Sequence, residues 1–208
     1  MTILVAVVRL AVASLVGFAV VSTFFDTASR ATINPFNFFG FFTMQSNIAT
    51  AIVLLIAAIF CFRGKEHPRW LVIARGCVTT YIAIVGIVYN TLLAGLEGGV
   101  SLEWANWVLH VFLPIYAVLD WILIADRPAL PWRVYPLVLI YPIVWIVVVL
   151  IRGATDGWVP YPFLDPATGY PTVAVFCVII AVGFAIVGAV VWAISRFDLQ
   201  QIGKQRES

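Results

Sequence analysis

Eight residues of this chain are of types that do chemistry when held in apolar surroundings. They are Thr43, Ser46 and Asn47 in "FFTMQSN", Asn90 in "VYNTLL", Asn106 and His110 in "ANWVLHVF", and Arg9 and Asp120, each alone in a hydrophobic run. Residues three and four apart share a helix face, so Ser46 and Asn47 lie on the face of Thr43, and Asn106 lies one turn from His110. A neutral imidazole can take a proton, and a hydroxyl within its reach then becomes a nucleophile. Amides beside such a pair could donate to an oxyanion or hold the ring. Thr43 and His110 are therefore the candidate catalytic residues, with Ser46, Asn47, Asn90 and Asn106 in support.

Asp120 does not belong to that group. Ten residues of helix separate it from His110 by roughly 15 Å, far beyond a hydrogen bond. Arg9 lies a comparable distance into its own apolar run, so the two are expected to pair between helices as a structural clamp. Pro114 lacks the N–H that would bond the carbonyl of His110, which predicts a kink and a freed carbonyl beside the imidazole.

These positions have depth only because of the elements that carry them. With 63% hydrophobic and 11% charged residues and a mean hydropathy of +1.05, the chain has too little polar surface for a soluble globule. Six apolar segments are long enough to cross a hydrocarbon core of roughly 30 Å. They run approximately Thr2 to Thr23, Phe41 to Phe62, Leu71 to Leu96, Trp104 to Ala125, Val134 to Ile151 and Thr172 to Ser195. The first lacks the basic flank of a signal peptide and reads as a span. The fold class is thus an all-α integral membrane protein with six transmembrane helices, forming one bundle domain over residues 1–208.

The connections alternate in charge. "RGKEHPRW", "DRPALPWR" and the tail "RFDLQQIGKQRES" are basic, whereas "GLEGGVSLE" holds two glutamates and no Lys or Arg. The excess of Lys and Arg on one side predicts cytoplasmic N- and C-termini. Thr43, Asn90 and His110 then share the outer half of the bilayer, and Arg9 and Asp120 the inner half. A net charge of +2 spread over short loops gives no footprint for nucleic acid. Cys61, Cys77 and Cys177 have no CxxC and no histidine at metal-ligand spacing, so they read as small hydrophobes, and no metal or cofactor is expected. His67 sits in the basic loop, away from His110, which excludes a bis-histidine haem.

Bland roles compete with chemical ones. Ser, Thr and Asn in membrane helices commonly bond helix to helix or back to the preceding turn. Most of the aromatic residues are accounted for by interfacial belts.

"FFTMQSN", the asparagine of "VYNTLL", "LHVFLPIYAVLDW" and the loop "VPYPFLDPATGYP" together resemble the bacterial six-span branch of the androgen-induced-gene family of membrane proteins. Animal members of that family are intramembrane threonine hydrolases of fatty acid esters of hydroxy fatty acids. The resemblance implies Thr43 as nucleophile, His110 as its partner, membrane lipids or a fatty acyl ester as substrate, and a bacterial cell membrane as location. The "MQSN" run and the Trp, Tyr and Pro loop depart from the animal pattern. A non-enzymatic lipid-binding or assembly subunit is the alternative. A small transporter is disfavoured by the lack of an inverted repeat and of a continuous ionisable path.

Overall fold

The computed structural model describes residues 2–95, 101–124 and 126–197. Among them every regular element is a helix, with no strand. Six helices are long and apolar enough to cross a membrane: Ile3–Arg30, Phe42–Phe62, Arg69–Leu93, Glu103–Leu123, Trp132–Thr155 and Tyr170–Ile194, numbered here as spans one to six. One buried apolar cluster draws on all six, from Val16 and Phe42 through Ile82 and Leu109 to Val138 and Phe184. The third span is the central one. Its apolar window is 61% buried, against 17% in the fifth and the sixth, whose outer faces are left to lipid.

The first helix runs seven residues past its expected end at Thr23. Thr23 and Thr27 donate to carbonyls four residues back, and Asp26 pairs with Arg30 at 2.8 Å across one turn. Local side-chain bonds of this kind let a helix outlast its apolar stretch.

The fourth span is interrupted where Pro114 predicts it. Residues Val108–Phe112 form a π-helical turn, with the N–H of Leu113 reaching the carbonyl of Val108. The carbonyl of His110, which Pro114 cannot bond, accepts from Asn90 Nδ2 of the third span at 3.2 Å. Opposite lies Gly86, where a Cβ atom would stand 2.7 Å from Pro114 Cβ, so only glycine lets the two helices close at this level. A second π turn, Tyr89–Leu93, ends the third span directly across from the first. Single π turns interrupt α-helices mostly at functional positions.

Candidate functional site

Thr43 lies in the first turn of the second span. Its entry is fixed by the loop between the fifth and sixth spans. Trp158 seats on Gly40, where a Cβ would be 2.6 Å from the indole, and Trp145 Nε1 donates to the Gly40 carbonyl at 2.9 Å. Arg152 lies 4.2 Å over the Trp158 ring and donates to Asn37 Oδ1, tying that loop to the segment before the second span. The loop thereby delivers Tyr161, whose hydroxyl accepts from the Thr43 N–H at 3.3 Å and shares a hydrogen bond with Thr43 Oγ1 at 3.3 Å.

Asn47 joins this turn to the fourth span. Its Nδ2 donates to the carbonyl of Thr43 at 2.8 Å and to that of Leu109 at 3.3 Å. His110, one residue on, is 5% exposed. Its Nδ1 faces the Asn106 carbonyl at 3.0 Å. A carbonyl only accepts, so Nδ1 carries the proton and Nε2 of the neutral ring holds the lone pair. Nε2 has no partner among the described residues. The ring of Tyr89 stacks on the imidazole with centroids 3.8 Å apart, and the Tyr89 hydroxyl accepts from Asn106 Nδ2 at 2.6 Å.

The supporting amides are therefore braces. Both N–H groups of Asn47 and both of Asn90 are taken up by carbonyls, those of Thr43 and Leu109 and those of Gly86 and His110. Ser46 is wholly buried and its Oγ has no partner among the described residues. Thr43 and His110 share one level, tied through Asn47, but no hydrogen bond joins them; each is held by a tyrosine instead. Neither tyrosine was legible as a site residue, since nothing in their spacing separates them from an interfacial belt.

An apolar cleft of ≈ 840 Å³, counting its open mouth, lies between the third, fifth and sixth spans at the level of Thr43. Thr43, Tyr89 and Tyr161 are the hydroxyl-bearing residues of its wall. His110 and Ser46 are not among its lining residues. Ile143, 54% exposed, marks the side where the cleft meets the bilayer-facing surface.

The layer of Arg9 and Asp120 holds more than the expected clamp. Arg9 bonds Asp120 through Nε at 2.9 Å and Nη2 at 3.1 Å. Arg9 also reaches Asp126, and Arg75 bonds both carboxylates, at 2.9 Å to Asp120 and 2.7 Å to Asp126. Two guanidinium groups and two carboxylates thus close a ring of four charges. Arg75 sits in the apolar run "VIARGCV" and carried the same depth signal as Arg9. Asp126 lies past the end of its helix and folds back, which periodicity does not foretell.

Cys61 belongs to this cluster, which corrects its reading as a small hydrophobe without a histidine nearby. Its Sγ lies 3.6 Å from His67 Nε2 and accepts from Arg9 at 3.4 Å. Cys61, His67 and Asp126 offer donor atoms within 4.8 Å of one another, a spacing a metal ion could use. Each donor already faces a guanidinium, Cys61 that of Arg9, His67 Nδ1 that of Arg75 at 3.0 Å and Asp126 both. A cation would have to displace them. Burial would raise the Asp126 carboxyl, but Arg75 and Arg9 outweigh it and hold the group down at about 2. His67 is pushed below its usual value by burial, and the charge of Arg75 adds to this.

Fold and site together define a multi-pass helical membrane protein with an apolar cleft in one half and a closed ion cluster in the other. Comparison with protein-family models, with curated proteins and with solved structures gives no match.

Proposed function

We propose that the protein hydrolyses a lipid ester within the membrane, with Thr43 as nucleophile and His110 as general base. The observation that carries this reading is the place of Thr43: among the described residues it is the sole aliphatic hydroxyl on the wall of an apolar cleft, and Asn47 ties its turn to the helix bearing an imidazole nitrogen without a partner among those residues. Apolar pockets with a few convergent polar groups are the usual form of a small-molecule site. An acyl chain enters from the bilayer beside Ile143 and brings its ester to Thr43.

Thr43 Oγ1 attacks the ester carbonyl and its proton passes to His110 Nε2. The C–O bond to the leaving alcohol breaks as Nε2 returns that proton to the departing oxygen, leaving the acyl group on Thr43. Water then attacks the same carbonyl, its proton taken by Nε2. The carboxylic acid departs, and the Thr43 oxygen recovers its proton from Nε2. Tyr161, once its hydroxyl releases that of Thr43, is placed to donate to the carbonyl oxygen.

The resemblance to the bacterial branch of the androgen-induced-gene family supports this reading, and with it a bacterial cell membrane as the location. Arg63, Lys65, Arg69, Arg127, Arg133 and Arg196 lie at the helix ends shared with the N-terminus, and this excess of basic residues supports a cytoplasmic N-terminus and an outward cleft.

A second reading, lipid binding without chemistry, is favoured by one observation: Thr43 is bonded to Tyr161 and not to His110. Labelling with a fluorophosphonate separates the two. Hydrolase chemistry predicts labelling of the wild type, its loss in Thr43→Ala and its retention in Ser46→Ala. It also predicts that Thr43→Ala, His110→Ala and the double variant lose turnover of an activated fatty acyl ester equally, since the two act as a unit. A folded wild type that takes up fatty acid but neither labels nor turns over ester establishes the second reading.

A further inference from the structure

The two ends of the bundle differ in how their arginines are neutralised. At the end away from the N-terminus, Arg30 pairs with Asp26 and Arg152 with Asp156, both at 2.8 Å. At the end that carries the N-terminus, Arg127, Arg133 and Arg196 have no carboxylate partner among the described residues, while Asp120 and Asp126 are held by Arg9 and Arg75.

Two of these cations are nevertheless fixed in place. Arg127 lies 4.3 Å over the ring of the buried Trp121, and its Nη1 donates to the carbonyl of Ile124. Arg196 lies 4.8 Å over Trp132, and its Nη1 and Nη2 donate to the carbonyls of Trp192 and Leu130, each at 2.7 Å. Both anchorages meet on the last turns of the sixth span. Trp121 Nε1 donates to the Val191 carbonyl at 2.9 Å, and the Leu130 N–H donates to Ser195 Oγ at 2.9 Å. The connection that carries Arg127 is thus laid against the helix end that carries Arg196.

A guanidinium taken partly out of water needs an acceptor. Arg127 is half-buried, and its Nε is buried with no acceptor among the described residues. Burial, with the charge of Arg75 added, pushes its pKa down to about 10, so a bound anion would favour its charged form. Carbonyls and indole rings hold the two guanidinium planes without neutralising them. The donors are therefore arranged before any anion arrives, in the fork that suits phosphate oxygens. Trp132, 48% exposed, and the exposed Arg133 beside it set this patch at the interfacial level where headgroups lie.

We propose that Arg127 and Arg196 bind the phosphate of an anionic phospholipid headgroup at this end of the bundle. Basic pockets between helix ends recognise such headgroups by charge. A zwitterionic lipid would bring its own ammonium against Arg133 and the two site arginines. The site is independent of the chemistry at Thr43.

Lipid retention tests it. The full-length protein is released from nanodiscs of equal parts phosphatidylglycerol and phosphatidylcholine, and the lipids it keeps are counted by native mass spectrometry. The wild type is expected to keep phosphatidylglycerol with a roughly tenfold preference, and Arg127→Gln with Arg196→Gln to bring the ratio near parity. Arg63→Gln with Arg69→Gln removes the same charge from another loop and should leave the preference as in the wild type. An equal loss in that control reduces the effect to a diffuse field and overturns the site. Should the first pair of variants fail to fold, the wild type still decides, since neither a phosphatidylglycerol preference nor a higher melting temperature in its presence overturns the proposal. Inorganic phosphate added to phosphatidylcholine discs, against chloride at equal ionic strength, identifies the source. A rise in melting temperature matching that from phosphatidylglycerol assigns the site to a soluble phosphate and overturns the lipid, whereas no rise with phosphate alone supports the headgroup.

Discussion

Arg9 and Asp120 meet as a bidentate pair between the first and fourth spans, Nε to Oδ1 at 2.9 Å and Nη2 to Oδ2 at 3.1 Å, with the arginine wholly buried. The pair is half of a ring. Arg75 and Asp126 complete it, so each carboxylate has two guanidinium partners and each guanidinium two carboxylates. Arg9→Met or Asp120→Leu leaves an uncompensated buried charge and should cost about 3–5 kcal/mol. The double variant leaves Arg75 paired with Asp126 and should cost less than the sum. Thermal melts of the two single variants and the double give the coupling, and strictly additive losses would refute the ring.

Gly86 meets Pro114 with no room for a methyl group, since a Cβ would stand 2.7 Å from the pyrrolidine Cβ. Gly86→Ala should destabilise by about 1–3 kcal/mol through overpacking. It should also push the third and fourth spans apart and lengthen the 3.2 Å bond from Asn90 to the His110 carbonyl. A thermal melt within 0.5 °C of wild type would show that the helices do not close there.

The inner cluster gives a two-step acid profile. His67 faces Arg75, Asp126 and Cys61, and its folded value lies below the ordinary 6.5. The unfolded chain then binds the extra proton, so the stability contribution is complete above about pH 6.5 and is lost as pH falls below it. Asp126, at about 2 against an ordinary 3.8, contributes fully above 3.8 and loses that contribution as pH falls toward 2. Melting temperature followed from pH 8 to pH 2.5 should show both slopes. His67→Gln should reduce the upper slope and Asp126→Asn the lower.

Orientation is open to direct labelling. In a protein lacking Cys61, Cys77 and Cys177, a cysteine placed at Lys65 should resist an impermeant maleimide in intact cells, and one at Thr168 should react. The opposite pattern would turn the cleft toward the cytoplasm.

Hydropathy and length were enough to give six helices, because apolar runs of this extent have no other stable form in a bilayer. Depth along each helix follows from 1.5 Å per residue, which is why Thr43, Asn90 and His110 were legible as one layer and Arg9 and Asp120 as another. Pro114 announced its own break, since a missing N–H is written in the residue type. Which atoms touch was decided elsewhere. Rotation about each helix axis and the path of the loops depend on packing among all six helices, and these set Tyr161 on Thr43, Tyr89 on His110 and Asp126 on the two arginines. A sequence read along one dimension gives the height of a side chain in the membrane but not the azimuth at which it meets its neighbour.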